Sequence, residues 1–244
     1  MKPLKKKLLN RNLMIIPARK GSKSIKNKNM RLFCGKPLIY WTIKLALKSN
    51  LGTVCVSTDC KRIKKYASSL GAETPFLRPK DIARDNTPVE PVINHAINFY
   101  KKKKINFDYF FLLQPTSPFR NDMDLIDSWK LLSKNKEYTS VLSVSLAHAN
   151  NNPYWMIKKN KFGKVVKFID NGPLGKLLSR RQLLPKVYYR NDFIYIGKVN
   201  NFMLKKPNLY GSNPAILITD ENRIDVDLNN SVDWIIAEKL FQYR

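Results

Sequence analysis

The sequence predicts an α/β fold with a doubly wound, mostly parallel sheet. Between residues 13 and 145, short apolar runs of strand length alternate with longer stretches whose apolar residues recur at helical spacing. This alternation is typical of βαβ units, which place parallel strands side by side and cover them with helices. The 244 residues, of which 43% are hydrophobic, provide a buried core. We therefore expect residues 1–244 to form a single domain.

The first strand and the first helix flank a basic loop. Residues 13–16 form a short apolar run that Pro17 bounds, as expected of a buried strand. Five cations and several small residues lie in the loop over residues 19–28, and a helix is predicted over residues 37–47 with Pro37 as its first residue. Such a loop can cradle a phosphate, because backbone N–H groups approach the anion and cations neutralise it. A solvated basic loop is the alternative, since no Walker A or G-x-G-x-x-G motif is present.

The other elements follow in order along the chain. Further strands are predicted over residues 53–57, 108–113, 140–145, 193–196 and 215–218, and further helices over residues 63–70, 87–100, 121–132 and 233–241. A capping box is predicted from Thr87 to Glu90, and another helix cap from Asn121 to Asp124. The face of the last helix that is predicted to point inward consists of Val232, Ile235, Ile236 and Leu240.

Two polar residues have more than one interpretation. Asp59 follows the strand over residues 53–57, where ligands gather in open α/β sheets, but it could equally cap the next helix. His95 lies near the apolar face of a helix, which indicates a core or surface histidine rather than a catalytic one.

The composition excludes several classes of protein. No apolar run approaches ~18 residues, so no membrane-spanning helix is expected, and the basic N-terminus lacks the features of a secretory signal. Cys34, Cys55 and Cys60 have no C-x-x-C spacing, and only two histidines are present, so a zinc site is not expected. These features favour a reduced, cytoplasmic protein.

The net charge of +27 has two interpretations. An excess of cations can attract an anionic partner such as a nucleotide, a nucleic acid or a membrane surface. Alternatively, a lysine-rich composition is spread over solvated faces. The cations are scattered and no RNA-recognition or zinc-finger motif accompanies them, so we expect no specific nucleic-acid partner.

Two further stretches carry functional predictions. Asp225 and Asp227 stand two residues apart in an extended stretch, so both side chains can project to one face and hold Mg²⁺ together with substrate phosphates. A solvated edge is the alternative for this pair. Residues 148–190 break the alternating pattern and form an excursion too small to bury its own core, which predicts packing against a second subunit in a homodimer.

An ordered set of short motifs runs through nearly the whole chain. Its members are Ile16-Pro17-Ala18-Arg19, Gly21-Ser22-Lys23, Lys28-Asn29, Gly35-Lys36-Pro37, Ser57-Thr58-Asp59, Leu77-Arg78-Pro79, Leu113-Gln114-Pro115-Thr116-Ser117-Pro118, Arg190-Asn191, Ile194-Tyr195 and Asp225-Val226-Asp227. The set resembles the acylneuraminate cytidylyltransferases, which are the CMP-sialic acid synthetases. The resemblance implies a nucleotidyltransferase-like fold and transfer of CMP from CTP to the anomeric hydroxyl of a nonulosonic acid, with release of pyrophosphate. It also implies a dimer in which residues 148–190 of each subunit reach the partner's active site.

The resemblance assigns roles to matching positions. The catalytic positions are Arg19, Lys28 and Asp227, and the Mg²⁺ ligands are Asp225 and Asp227. The nucleotide-binding positions are Arg19, Gly21, Ser22, Lys23, Lys28, Asn29, Arg78, Asp85 and Thr87, among which Arg78 is implied to read the cytosine edge. The sugar-binding positions are Gln114, Thr116, Arg181 and Tyr195, among which Arg181 is implied to pair with the sugar carboxylate.

Departures from the family pattern leave the sugar open. The family usually has Gly, a hydrophobe and Pro where Ser24, Ile25 and Lys26 stand here, and an Asn-Gly pair where this chain has Asn191-Asp192. The acid could be N-acetylneuraminate or a bacterial relative such as legionaminate or pseudaminate, and the Gln-Pro-Thr-Ser-Pro loop favours neuraminate or legionaminate. Transfer to KDO, or a non-catalytic polyanion-binding protein, are the alternative functions.

Overall fold

A computed structural model describes residues 11–22, 24–220 and 222–243 of the chain. Its strands are β1 (Asn12–Pro17), β2 (Leu32–Phe33), β3 (Lys36–Pro37), β4 (Thr53–Ser57), β5 (Tyr109–Leu112), β6 (Ser140–Leu146), β7 (Ile157–Lys159), β8 (Val165–Lys167), β9 (Tyr188–Lys198) and β10 (Pro214–Ile218). Its α-helices are α1 (Leu38–Ser49), α2 (Lys61–Ser69), α3 (Val89–Lys102), α4 (Asp122–Lys134) and α5 (Ser231–Phe241).

Six strands form a mixed, mostly parallel sheet in the order β10, β6, β9, β5, β1, β4. β1 pairs in parallel with both β4 and β5, so that Ile15 lies between Cys55 and Leu112, whereas β9 runs antiparallel to β5. The apolar residues of β1 from Leu13 to Ile16 are fully buried, as expected of a central strand covered on both faces. The predicted α/β fold with a mostly parallel sheet is confirmed.

The start of α4 is fixed by the cap that the sequence predicts. Asn121 accepts a hydrogen bond from the backbone N–H of Asp124 at 3.1 Å, and the Asp124 carboxylate accepts one from the backbone N–H of Asn121 at 2.7 Å. Both bonds satisfy donors that the first turn of a helix leaves without intrahelical partners.

Loss of this cap has a predictable cost. We expect Asn121→Ala to lower the free energy of unfolding by about 1 kcal/mol, because the N–H of Asp124 loses its acceptor. Urea unfolding followed by circular dichroism measures the difference, and Asn98→Ala, an exposed change inside α3, is the control. Equal stability of the Asn121 variant and the wild type would contradict the assignment.

Two helix starts differ from their predictions. The residue before α3 is Pro88, which makes no side-chain cap, and the Thr87 hydroxyl donates instead to the carbonyl of Asp81. The predicted capping box is therefore wrong, because Thr87 lies one residue too early to serve the first turn. Pro37 is the residue before α1 rather than its first residue.

The buried face of α5 also differs from its prediction. Val232 and Ile235 are 63% and 67% exposed, whereas Trp234 and Ala237 are buried. Trp234 packs edge-on against Phe33, with ring centroids 5.5 Å apart. The indole ring of Trp234 belongs to the hydrophobic core together with Phe33, and this rotation of the helix leaves Val232 and Ile235 exposed.

The described chain divides into two compact units. The first takes in the chain up to Ser143, Asn191–Leu217 and the chain from Ile224 onward, and the second takes in Val144–Arg190 and Ile218–Arg223. In the second unit β7 and β8 form an antiparallel hairpin, and the indole N–H of Trp155 donates to the carbonyl of Leu178 at 2.7 Å. That residues 148–190 are a dimerisation arm inserted in one domain remains a prediction. None of the helices in the described part of the chain has the length and apolar character needed to cross a membrane.

Candidate active site

A cavity of about 210 Å³ lies where the parallel strands β1, β4 and β5 end. This is the edge at which open α/β sheets bind their ligands. Ten of the residues that the resemblance assigns to substrates line it, namely Arg19, Gly21, Ser22, Lys28, Asn29, Arg78, Asp85, Thr87, Gln114 and Thr116. Arg84 adds a cation to which the sequence analysis assigned no role. The rest of the wall consists of Pro17, Ile82, Val89, Val92 and Pro115. Lys23 lies outside the described residues.

Hydrogen bonds within the first unit hold the basic loop after β1. The backbone N–H of Lys20 donates to the Asp59 carboxylate at 2.6 Å, and the Asn29 amide donates to the carbonyl of Arg19 at 3.1 Å. The residue before α2 is Cys60, and it has no side-chain cap. The alternative in which Asp59 caps α2 is therefore wrong, because its carboxylate shapes the loop instead.

Opposite charges meet across the cavity. The Arg19 guanidinium forms an ion pair with the Asp85 carboxylate, and both side chains are partly exposed. Because both groups line the cavity, an anionic ligand entering it would compete with Asp85 for Arg19. The ion pair with Asp85 therefore has to open before Arg19 can bind an anion in the cavity.

Arg78 is held under the cavity by the end of β4. Only 6% of the residue is exposed, its Nε donates to the Ser57 hydroxyl at 3.2 Å, and one of its Nη atoms donates to the Ser57 carbonyl. Burial lowers the pKa of Arg78 to about 10, the Asp59 carboxylate opposes that shift, and Arg19 adds to it. The guanidinium is thus still a cation at neutral pH, and it lines the cavity with part of its donor set already engaged.

Lys28 and Asp227 lie together beside the loop after β5. The Lys28 ammonium donates to the carbonyl of Leu228, and the backbone N–H of Leu228 donates to the carbonyl of Thr116 at 3.2 Å. Burial raises the pKa of the Asp227 carboxyl and the charge of Asp192 raises it further, whereas hydrogen bonds from Thr116 and Asn229 and the charge of Lys28 lower it.

The remaining assigned residues lie apart from the cavity lining. Tyr195 is buried on β9, and its hydroxyl donates to the carboxylate of Asp192. Asp225 is partly buried two residues before Asp227, in a stretch without regular secondary structure. Arg181 is exposed and belongs to the second unit, within a short 3-10 turn.

Asp192 is a site residue whose role the sequence did not predict. It has a φ of 56°, a left-handed conformation that is disfavoured for residues with a side chain and is easily adopted by glycine. The family pattern expects Gly at this position. The presence of Asp in its place is the signal in the sequence that could have identified this residue. Because its negative charge raises the pKa of Asp227, Asp192 belongs to the electrostatic surroundings of the predicted metal ligand.

Comparison with known proteins identifies the family. A family model described as Cytidylyltransferase matches residues 13–222. The chain belongs to this family. The matched range includes every residue that lines the cavity and ends shortly before Asp225 and Asp227.

Individual relatives agree with the family assignment. The chain is 31% identical over 243 residues to a CMP-N,N'-diacetyllegionaminic acid synthase of Legionella pneumophila, covering 95% of this chain and 97% of that protein. It is 32% identical over 233 residues to an N-acylneuraminate cytidylyltransferase of Escherichia coli, covering 95% of this chain and 52% of that protein. A solved CMP:2-keto-3-deoxy-manno-octonic acid synthetase complexed with CTP has a TM-score of 0.66 at 15% identity, covering 96% of this chain and 99% of its own. That likeness confirms the nucleotidyltransferase-like fold.

Proposed function

We propose that this protein transfers CMP from CTP to the anomeric hydroxyl of a nonulosonic, sialic-type acid and releases pyrophosphate. The observation that carries the proposal is the single cavity in which the basic loop, Arg78 and the Gln114–Thr116 segment meet, in a chain of the cytidylyltransferase family. The similarity to enzymes named for legionaminic, neuraminic and pseudaminic acids supports this class of acceptor.

The cavity residues suit this chemistry. The anomeric oxygen would attack the α-phosphorus of CTP as its hydroxyl proton is lost to solvent. The bond from that phosphorus to the bridging oxygen would break, and the electron pair would leave with pyrophosphate. Arg19 and Lys28 would neutralise the charge that builds on the phosphate oxygens. Gly21 and Ser22 would let backbone N–H groups approach the phosphates, and Arg78 would donate to the cytosine edge through the part of its fork that Ser57 leaves open.

The surroundings of Asp227 fit a divalent cation. Its Oδ1 atom is buried and has no hydrogen-bond partner among the described residues. Mg²⁺ in nucleotide sites is held by one or two carboxylates while substrate phosphates supply further oxygen ligands. The described ranges contain no group of three or more His, Cys, Asp or Glu residues that could hold a metal ion. We propose that Asp227 and Asp225 hold Mg²⁺, which would supply charge neutralisation on the phosphates.

A panel of acceptors tests the function. We expect pyrophosphate release from CTP only when Mg²⁺ and a nonulosonic acid are both present, with N-acetylneuraminate, di-N-acetyllegionaminate, pseudaminate and KDO tested in parallel. UTP in place of CTP is the control for base selection. Absence of CMP-sugar with every acid in the panel would refute the proposal.

We also propose that the protein is a cytoplasmic homodimer. Large apolar side chains are exposed in the second unit, including Phe162 at 80%, Phe168 at 47% and Leu183 at 58%. A second subunit that covered them would remove this surface from water. Each subunit could then present Arg181 to its partner's acid sugar.

Arg181→Lys should raise the KM for the acid sugar by about tenfold and leave CTP binding unchanged, because lysine keeps the charge but loses the two-pronged contact with a planar carboxylate. Arg180→Lys, the exposed neighbour, is the matched control. Sugar KM, CTP KM and the molecular mass in solution are measured together. If the substitution shifts only the monomer–dimer equilibrium, Arg181 braces the dimer instead, and a fully active monomer would contradict the proposal.

The charge of +27 should not produce a specific nucleic-acid complex. We expect weak binding to duplex DNA or RNA that falls steeply, by roughly three orders of magnitude or more for six phosphate contacts, between 50 and 200 mM salt. Fluorescence anisotropy with two unrelated sequences measures it. Tight, sequence-selective binding at physiological salt would favour the polyanion-binding alternative.

A further inference from the structure

Arg120 joins two backbone segments that border the candidate active site. The residue is 2% exposed. Its Nε donates to the carbonyl of Phe193, and one Nη donates to the carbonyls of Gln114 at 3.0 Å and Asp192 at 3.4 Å. One guanidinium therefore contacts both the loop after β5 and the central part of β9.

Ser117 strengthens the same junction. Its hydroxyl donates to the carbonyl of Asp192 at 3.1 Å, and its own carbonyl accepts the backbone N–H of Arg120 at 3.4 Å. The carbonyl of Asp192 thus receives two side-chain donors at a residue whose φ is 56°. Left-handed backbone at a residue other than glycine persists where its surroundings enforce it, and such positions cluster at functional sites.

The two joined segments carry most of the residues predicted to bind the sugar. Gln114 and Thr116 line the cavity from the loop, and Thr116 also hydrogen-bonds the Asp227 carboxylate. On β9, the Asp192 carboxylate accepts the hydroxyl of Tyr195. Three of the four residues predicted to contact the sugar therefore belong to segments that the hydrogen bonds of Arg120 join.

The chemistry at this junction requires a guanidinium. Nε and Nη project in fixed directions within one plane, so they can reach carbonyls on two chain segments at once, whereas an ammonium is a point donor on a flexible stem. Burying a cation is costly unless it is hydrogen-bonded. A junction that served packing alone could be built from apolar side chains without that cost.

We propose that Arg120 is a positioning residue that sets the distance between the Gln114–Thr116 segment and the Asp192–Tyr195 segment, and thereby orients the acid sugar for attack. The inference rests on the proposed function. The hydrogen bonds of Arg120 are distinct from those that hold the predicted nucleotide-binding residues, since Arg78 is held by Ser57 and the basic loop by Asp59. Loss of Arg120 should therefore affect the acceptor and spare CTP.

The test compares Arg120→Met and Arg120→Lys with Leu132→Ala, a buried change in the following helix α4 that controls for lost stability. For Arg120→Met we expect kcat/KM for the sugar to fall roughly 30- to 100-fold, as a displacement of about 1 Å would cause, while the equilibrium Kd of CTP stays unchanged. Arg120→Lys should lie between this variant and the wild type. Leu132→Ala should keep its kcat/KM even with a comparable fall in Tm.

Hydrogen exchange provides a readout that does not depend on activity. In both Arg120 variants, amide exchange should rise at Gln114, Thr116 and Ser117, the residues of that loop with a backbone N–H, and over residues 192–196, and it should stay unchanged in the basic loop. Unchanged exchange in those two segments, a loss of CTP affinity as large as the loss for the sugar, or an equal loss of kcat/KM in Leu132→Ala would each overturn the inference. If Arg120→Met does not fold, Arg120→Lys and Ser117→Ala carry the same comparison. If the wild type transfers CMP to no acid, the proposed function fails, and the exchange pattern still decides whether Arg120 sets the junction.

Discussion

Asp227→Asn should lower the turnover number by at least about 100-fold, the size of effect seen when one preorganised charge-stabilising group is removed from an active site. The amide keeps the shape of the carboxyl group but loses the negative charge that would hold Mg²⁺. The buried Oδ1 atom, which has no hydrogen-bond partner among the described residues, is the structural reason to expect so large an effect.

The same substitution should leave the fold intact. Burial and the charge of Asp192 raise the pKa of the Asp227 carboxyl, so above the unfolded-state pKa the ionised form is less favourable in the folded protein than in the unfolded chain. The neutral amide avoids this cost, and the Tm at pH 7 should be equal to or higher than that of the wild type, with the difference vanishing as the pH falls below the unfolded-state pKa.

Asp127→Asn, an exposed carboxylate that pairs with Lys130 on α4, is the matched control and should change neither the rate nor the Tm. The measurements are initial rates over a Mg²⁺ series and thermal unfolding of each variant. A rate for Asp227→Asn equal to that of the wild type at saturating Mg²⁺ would refute the metal assignment.

Arg78→Ala should weaken CTP binding by roughly tenfold to over a hundredfold, because a lost hydrogen bond from a charged donor costs about 1.5–3 kcal/mol. The structure adds a second consequence. The Ser57 hydroxyl loses the hydrogen bond from Nε of Arg78, and the Ser57 carbonyl loses one of its two donors and keeps the backbone N–H of Ala18. The free energy of unfolding should therefore fall by about 1–3 kcal/mol as well.

Equilibrium binding of CTP and UTP, measured well below the Tm of the variant, separates these two effects. Arg62→Ala removes an exposed arginine from α2 and is the control for a simple loss of charge. A variant that binds CTP normally and still rejects UTP would show that another group reads the cytosine base.

Local sequence patterns predicted most of the strands and helices, because apolar runs and helix caps act on residues that are close together in the chain. The apolar run of β1 forms the buried central strand, and Asn121 with Asp124 caps α4 as predicted. Where the local sequence allowed two structures, tertiary packing determined which one forms. The α5 sequence has apolar residues on opposite faces, and contact of Trp234 with Phe33 selected which face is buried.

By itself the sequence determined the fold class, the family and ten residues that the folded chain gathers in one cavity. The reason is that the order of the motifs, and their positions directly after predicted strands, can be recognised along the chain without the structure. Only the tertiary structure decided which contacts surround that cavity. It paired Asp59 with the backbone of Lys20, brought the charge of Asp192 to bear on Asp227, and buried Arg120 between carbonyls more than 70 residues apart in the chain. Such contacts depend on which strands become neighbours in the sheet, and side-chain patterns along one segment do not encode that order.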